Sequence, residues 1–378
     1  MDKSGLMRVR TMMTVSRRDA MKGAAALSTL AATGLAGRPA SAATTVSMFG
    51  WQDYDAGLRV GDFLKREDID VTFTGIGNND EIISRLAAGG AGQIDIVTPY
   101  MGYIPFLAAS ELIEPIDESL VPNLKNVPEV FRNDSNVIVN NVRYSVPFTW
   151  GSAPMAYDPA VIPTAPESWK DILKPEYKGK VGMADDPIGN QMLAAILATD
   201  AKVPTMLTQD QLNQATEFLI MLKKDYARQL AVSWGELANA LARSEVVITY
   251  SGGEFLKKFA GDAGKKIELT YPKEGTFAWL DSYCVAKGAP NREAAHKCAN
   301  QALDVDAQVA FGEKTYQAIV IPDAIAKLQP STKALYPYDN LGEFAKKAKF
   351  FPMPPLQPDG VHASYQDWQN AYQKFKAA

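Results

Sequence analysis

Short apolar segments alternate repeatedly with helical stretches along this chain. The segments TTVSMF (44–49), DVTFTG (70–75) and IDIVTP (94–99) have the length and composition of buried strands, and a helical pattern follows each of them. Strands that alternate with helices in this way pair in parallel, and the helices cover the resulting sheet. The segment 136–148 reads as a hairpin that turns at its Asn-Asn pair. The first part of the chain is therefore predicted to be a mostly parallel α/β unit.

A second unit of the same kind is predicted after residue 179. Its strands are expected at 180–185, 230–233, 246–251 and 266–272. Its clearest helix is the amphipathic stretch 209–225. A strand at 282–288 and helices within 291–315 then return the chain to the first unit. With 378 residues, the chain is long enough to build two such cores.

Two α/β lobes with a cleft between them follow from this organisation. Their boundaries are assigned as 43–152 plus 281–325 for the first lobe and 153–280 plus 326–378 for the second. The chain would cross between the lobes twice, near 148–156 and near 278–284. Ligands of open α/β sheets bind beyond the carboxyl ends of the strands, so the cleft is the expected binding site.

The first 42 residues have the features of an export signal. Arg17 and Arg18 precede an apolar stretch at 24–37, and Ala40 to Ala42 form a small-residue cleavage signal. We predict a twin-arginine signal and a periplasmic protein, with an ordinary secretory signal that happens to hold two arginines as the alternative. No later segment has about 20 uninterrupted apolar residues, the length of a membrane span.

Composition and motifs argue against several classes of function. The formal net charge is −4 at pH 7, and the chain after residue 42 is more acidic still, because bases are concentrated in the first 42 residues. Such a surface repels nucleic acid, so no nucleic-acid partner is expected. The two histidines, His296 and His362, have no metal-ligand spacing, and phosphate-loop and nucleophile-elbow motifs are missing. We therefore expect a binding protein with no catalytic residue, metal or cofactor, although an exported enzyme remains an alternative.

Aromatic rings and carboxylates recur where the predicted strands end. The stretch FGWQDYDAG (49–57) places Trp51, Asp53 and Tyr54 just beyond the first strand. Further members at other strand ends are Tyr100, Asp186, Tyr250, Trp279 and Asp281. The face of an aromatic ring attracts an ammonium group, and a carboxylate adds a charge-assisted hydrogen bond. Each ring alone could be a core residue, but together they predict a site for an organic amine.

The chain resembles a known family in these same stretches. The most specific are FGWQDYDAG (49–57), IDIVTPY (94–100), YSVPFTWGSAPMAYD (144–158), ESWKDILKPEYKGKVGMADD (167–186) and YPKEGTFAWLDSY (271–283). They resemble the periplasmic spermidine/putrescine-binding proteins of ABC importers. The resemblance implies a two-lobe, type II periplasmic binding fold that closes on its ligand. It also implies a monomer that delivers a polyamine or related small amine to an ABC permease in the inner membrane.

By position, the resemblance implies a role for each candidate. The ring-and-acid contacts are expected at Trp51, Asp53, Tyr54, Asp186, Trp279 and Asp281, with Tyr250 at the place of an aromatic platform. Tyr100 and Gly102 depart from the pattern, and Gly189 stands where long-polyamine binders carry a further acid. Asn190 and Glu254 are nearby polar candidates without a clear place. A diamine and a zwitterionic amine of the γ-aminobutyrate type are therefore both open.

Two further alternatives concern tyrosines and cysteines. Related two-lobe receptors bind ferric iron through tyrosines, and Tyr100, Tyr103 and Tyr250 would be the ligands here.

Cys284 falls in a predicted strand and Cys298 in the helix after it, a spacing that allows one disulfide in an oxidising compartment. The alternative is that both cysteines are small buried hydrophobic residues.

Overall fold

The computed structural model describes residues 43–378. The predicted export signal at 1–42 lies outside the described residues. The strands, in chain order, are β1 (Thr44–Gly50), β2 (Ile69–Gly75), β3 (Ile96–Val97), β4 (Ile113–Glu114), β5 (Ile138–Val139), β6 (Val142–Arg143), β7 (Val146–Ser152), β8 (Met155–Tyr157), β9 (Val181–Ala184), β10 (Ala227–Ala231), β11 (Ile248–Tyr250), β12 (Glu268–Thr270), β13 (Thr276–Ala286), β14 (Ala318–Ile319) and β15 (Ala348–Lys349).

The helices vary from single turns to the 17-residue helix that the sequence pattern marks most clearly. In chain order they are α1 (Phe63–Arg66), α2 (Asp80–Arg85), α3 (Ile104–Ala109), α4 (Glu129–Arg132), α5 (Pro187–Ala198), α6 (Gln209–Asp225), α7 (Trp234–Ala242), α8 (Phe255–Asp262), α9 (Arg292–Gln301), α10 (Val305–Thr315), α11 (Pro322–Ile325), α12 (Pro330–Lys333), α13 (Leu341–Lys347) and α14 (Tyr365–Ala377). In the described part of the chain, no helix is long and apolar enough to cross a membrane.

The first sheet has the strand order β14-β7-β13-β3-β1-β2, with β4 and β15 also paired to β13. Its predicted strands are parallel, because β1 pairs with β2 and with β3 in that sense. The long strand β13 then adds antiparallel pairs with β3 and β7. The sheet is consequently mixed, with the parallel unit at one side and the returning strands at the other.

The second sheet has the order β10-β9-β11-β8-β12. β9 is parallel to both β10 and β11, as the alternation with helices α5, α6 and α7 predicts. β8 is antiparallel to β11 and β12, because it enters this sheet directly from β7 of the first sheet. Both sheets thus confirm the α/β prediction, and each is completed by antiparallel strands near the connections between the sheets.

Two short connections join the sheets. β7 ends at Ser152 in the first sheet, and β8 begins at Met155 in the second. β12 ends at Thr270, and β13 begins at Thr276 back in the first sheet. The second connection therefore comes earlier than its expected place near 278–284, because β13 pairs with β7 from Ala278 onward.

One assignment to the second lobe is corrected by the structure. The segment 326–349 packs against the first sheet, where Tyr336, Tyr338 and Phe344 surround Trp150 of β7 at ring-centroid distances of 5.4 to 5.9 Å. β15 in this segment also pairs with β13. The large indole of Trp150 needs aromatic neighbours to fill its surroundings, a requirement that strand and helix patterns do not reveal.

The last helix packs on the second sheet's helices. α14 lies against α6 and α5, and Tyr372 accepts a hydrogen bond from Asn190 of α5 at 3.2 Å.

Cys284 and Cys298 are buried, free thiols in this structure, which corresponds to the alternative of two small hydrophobic residues. Burial raises the pKa of both thiols.

Candidate ligand-binding site

A cavity of about 730 Å³ lies between the two sheets. Its lining residues follow the carboxyl ends of strands in both of them: Trp51–Tyr54 after β1, Gly75–Asn79 after β2, Ala184–Gly189 after β9 and Val232–Gly235 after β10. β13 adds Phe277, Trp279 and Asp281 from the returning side. The position agrees with the rule that places ligands of α/β sheets at strand ends.

The turn after β1 supplies the first group of candidates. Asp53 has a φ of +64°, a left-handed conformation that Asp adopts more readily than most residues. The turn is closed by the Tyr54 amide, which donates to the Trp51 carbonyl at 3.1 Å. Trp51 and Asp53 are half-buried, and both line the cavity. The structure thus brings this predicted ring-and-acid group to the cleft.

Asp281 is the most deeply buried carboxylate of the cavity. The Tyr54 hydroxyl donates to its Oδ2 atom at 2.6 Å, and the Tyr54 ring is held edge-on by Phe148 and Phe311. Burial raises the pKa of Asp281 to about 7, although the hydrogen bond from Tyr54 opposes that rise. A cation placed beside this carboxylate would favour its ionised form and offset the cost of its burial.

Trp279 depends on a glycine in the neighbouring strand. Its cross-strand partner is Gly151, and a Cβ atom at that position would lie 2.3 Å from Cζ2 of the indole. The Nε1 group of Trp279 donates to the Ser152 carbonyl at 3.3 Å. The missing side chain at Gly151 therefore lets the indole lie against β7 while it lines the cavity.

Asp186 caps the helix α5 and also lines the cavity. Its Oδ1 atom accepts a hydrogen bond from the Gly189 amide at 3.0 Å. Burial raises the pKa of Asp186 to about 6, with the Gly189 hydrogen bond acting in the opposite direction. A Cβ atom at Gly189 would lie 2.1 Å from Asp186 Oδ2 and 2.7 Å from Phe277 Cζ. A further acid at this position would have to displace both neighbours.

Asp185 lines the cavity next to Asp186, but its charge is already offset. Lys376 of α14 forms an ion pair with Oδ2 at 2.6 Å, and the Tyr372 hydroxyl donates to Oδ1 at 2.9 Å. At this end of the cavity, Asp186 is therefore the acid without a basic partner.

Tyr100 and Tyr250 have different positions. Tyr100 lines the cavity and forms an antiparallel bridge with Asp281, which sets the end of β3 beside that carboxylate. Tyr250, in contrast, is fully buried outside the cavity lining, and its hydroxyl donates to the Asn190 carbonyl at 2.9 Å. β11 ends beneath α5, so this ring packs on Trp169 and does not form the expected platform.

Glu254 and Asn190 are also outside the cavity lining. Glu254 is fully buried and accepts hydrogen bonds from the Ser152 amide at 3.2 Å, the Ser152 hydroxyl, and the Tyr271 hydroxyl at 2.9 Å. Ser152 and Tyr271 flank the two connections between the sheets. One carboxylate thus ties both connections together, and burial raises its pKa.

Sequence reasoning missed part of the lining. The omitted side chains include Met192, Trp234, Phe255, Phe259 and Gln317. Trp234 comes shortly after the end of β10, next to Ser233, the N-cap of α7, so the strand-end argument that selected Trp51 could have found it. Phe259 lies inside α8, and Gln317 precedes the amino end of β14 instead of following a carboxyl end, so no local pattern marks them.

The charges that line the cavity have one sign. Asp53, Asp185, Asp186 and Asp281 are among the lining residues, whereas none of the described lining residues is Lys, Arg or His. Within residues 43–378, no group of three or more His, Cys, Asp and Glu is arranged to hold a metal ion. The site offers carboxylates and aromatic faces, which are suited to an organic cation.

The model of the family of bacterial extracellular solute-binding proteins matches residues 59–337. The chain belongs to this family. The family is one of solute-binding proteins and not of enzymes. The spermidine/putrescine-binding periplasmic protein of Salmonella typhimurium is 28% identical to this solute-binding protein over 285 residues, which cover 74% of this chain and 79% of the relative. The putrescine-binding periplasmic protein of Escherichia coli (strain K12) is 25% identical over 292 residues, or 72% and 77% of the two chains.

A solved structure shows that the fold is shared. The spermidine/putrescine substrate-binding protein of Streptococcus pneumoniae superimposes with a TM-score of 0.67 at 20% identity, covering 88% of this chain and 99% of that one. The expectation of a type II periplasmic binding fold is therefore confirmed.

Proposed function

We propose that this solute-binding protein captures a small organic amine in the cleft and delivers it to an ABC permease from the periplasm. The observation that carries the proposal is the one-sided charge of the cavity, which is lined by four carboxylates and by no basic side chain of residues 43–378. The curated relatives are named for spermidine and putrescine, so a polyamine of that kind is the first candidate.

The arrangement of rings and acids supports an ammonium group as the recognised feature. Trp51 and Trp279 provide aromatic faces, and Asp281 provides a buried carboxylate in the same cavity. A cation near an aromatic ring gains about 0.5 to 2 kcal/mol, most when the site is dry. A buried carboxylate without a cation is costly, and an amine would remove that cost.

We further propose that the two sheets are the cores of two lobes that close on the amine. The cavity is lined by residues from both sheets. The strands of the two sheets are joined through two short connections, at 153–154 and 271–275. The ligand would have to bind the closed state better than the open one for closure to follow. The protein would act as a monomer.

A zwitterionic amine such as γ-aminobutyrate fits less well. Its carboxylate would find no basic side chain among the lining residues of the described cavity. Ferric iron also fits less well, because Tyr250 donates its hydroxyl hydrogen bond to Asn190 outside the cavity, away from Tyr100.

A ligand screen by thermal shift tests the proposal. The protein is unfolded and refolded to remove any ligand acquired during expression, and is then heated with putrescine, spermidine, γ-aminobutyrate, choline or a ferric salt. We expect a rise of several degrees in Tm with at least one amine. A rise with γ-aminobutyrate alone, or with the ferric salt alone, would contradict the choice of an organic cation.

A further inference from the structure

A second wall of the cavity is aromatic and carries no carboxylate. Trp234 at the start of α7 and Phe255 and Phe259 on α8 all line the cavity. Their rings form a chain of edge-on contacts, with centroid distances of 5.7 Å from Trp234 to Phe255 and 6.1 Å from Phe255 to Phe259. We call these three residues the aromatic wall.

The aromatic wall is incompletely covered. Phe259 is 40% exposed, and Val232, which lines the cavity beside the wall, is 72% exposed. Large apolar side chains left open together inside a cavity usually mark a surface that another molecule covers. The pairing of Trp234 with Phe255 holds the wall in place before any ligand arrives.

The polar residues that line the cavity near the aromatic wall are uncharged. They are Ser233, Asn239 and Thr315. None of the lining residues contributed by α7 and α8 is an acid, whereas the acids without a basic partner come from the turn after β1, from β13 and from the start of α5. A second ammonium group at the wall would therefore find no carboxylate among these lining residues.

We propose that the ligand is an amine that carries an aromatic or similarly bulky apolar group, and that this group packs on the aromatic wall. The inference rests on the proposed function, because the ammonium group is taken to bind at Asp281. A cavity of about 730 Å³ has room for such a ligand, since pockets for drug-sized molecules have volumes of about 300 to 1,000 Å³.

Calorimetric titration with three amines tests the inference. The probes are 2-phenylethylamine, n-butylamine and putrescine, added to protein that has been refolded without ligand. The first two carry the same single charge and differ in the ring. We expect 2-phenylethylamine to bind at least about tenfold tighter than n-butylamine, because burying a ring removes a large apolar area from water.

Variants of the aromatic wall test whether the tighter binding of 2-phenylethylamine arises there. We expect Phe259→Ala and Trp234→Ala each to remove most of the advantage of 2-phenylethylamine while leaving the affinity for n-butylamine nearly unchanged. Phe259 is exposed enough for its replacement to leave the fold intact. Phe106→Ala is the matched control, because this partly buried ring packs on Tyr365 outside the cavity lining and should leave both affinities unchanged.

The outcomes separate this inference from the proposed function. If putrescine binds and the ring gives no advantage, the wall is covered in another way, such as by lobe closure, and the inference is overturned while the proposed function stands. An advantage that persists in both wall variants also overturns it, because the ring would bind elsewhere. If none of the three amines binds, and the wider amine screen also gives no rise in Tm, the proposed function itself fails.

Discussion

Asp281 is the residue on which the electrostatics of the cleft depend most. The residue is 5% exposed, and its carboxylate accepts one hydrogen bond from Tyr54 and has no basic partner among the described lining residues. Its pKa of about 7 results from burial. Without ligand, burial therefore favours the protonated form of Asp281, whereas a bound ammonium group would favour the ionised form.

Asp281→Asn should weaken amine binding at least about tenfold, because the amide keeps the shape of the side chain and removes its charge. Calorimetric titration with the best amine of the screen measures the loss. Near-native affinity in the variant would exclude Asp281 from the ammonium site.

The raised pKa of Asp281 also predicts how stability depends on pH. Between the ordinary pKa of Asp, about 4, and the raised value of about 7, the native state holds a proton that the unfolded state has lost, so stability falls as pH rises through this window. Asp281→Asn should therefore gain stability relative to the parent at pH 8, and much less at pH 5. Urea unfolding without ligand measures both values. Asp70→Asn, at an exposed position on β2, is the control for the loss of a surface carboxylate.

Replacement by Ala should mainly affect ligand affinity at Trp279 and mainly affect stability at Trp169. Trp279 lines the cavity, so Trp279→Ala should mainly reduce ligand affinity. Trp169 is fully buried and donates its Nε1 hydrogen bond to the Gly275 carbonyl at 2.8 Å, so Trp169→Ala should mainly cost stability, about 3 to 5 kcal/mol. Titration and urea unfolding of both variants give the two readouts. A larger affinity loss in Trp169→Ala would show that the ring contact is misassigned.

At the scale of elements, α5 combines a cap with a binding role. Asp186 accepts the amide of Gly189 and lines the cavity at the same time. This double use is feasible only because residue 189 has no side chain, since a Cβ atom would meet Asp186 Oδ2 at 2.1 Å. The absence of the further acid at this position is thus tied to how the helix begins.

Gly189→Ala tests this dependence. In an ordinary helix the change stabilises by about 0.5 to 1 kcal/mol, but here crowding against Asp186 and Phe277 should make it destabilising by about 1 to 3 kcal/mol. Gly261→Ala in α8 is the matched control, because nothing lies within 4 Å of the added Cβ atom, and it should stabilise. Urea unfolding compares the two, and equal stabilisation would show that the α5 terminus can relax.

Elements with a strong local signal could be predicted closely. The hairpin turns at Asn140 and Asn141, both with positive φ as its two-residue turn requires, and α6 spans 209–225 as its amphipathic pattern indicates. Seven of the eight predicted ligand residues line the cavity. Tyr250 does not line it, because the sequence predicts where a strand ends but not on which face of the sheet its last side chain lies.

The remaining differences arise from packing between distant segments. β13 returns to the first sheet before the expected crossing because of its pairing with β7, and 326–349 follows Trp150 rather than the second sheet. Phe259 and Trp234 face the same cavity only because α7 packs on α8. Such arrangements depend on contacts far apart in the chain, for which a single sequence has no local pattern.

At the scale of the whole molecule, Glu254 holds the two connections between the sheets through Ser152 and Tyr271. If the sheets are the cores of lobes that close on the amine, ligand should make the molecule more compact. We expect small-angle X-ray scattering to show a smaller radius of gyration with saturating amine than without it. Asp281→Asn at the same amine concentration should show a smaller decrease, and an unchanged radius in the parent protein would contradict closure.

Tryptophan fluorescence would report whether the cleft is occupied, because the six tryptophans fall into two groups. Trp150, Trp169 and Trp368 are sealed in the interior, whereas Trp51, Trp234 and Trp279 line the cavity. An uncharged quencher such as acrylamide should therefore reach one group and not the other. A bound amine would shield the accessible group, so the quenched fraction of the fluorescence becomes a label-free gauge of how full the cleft is.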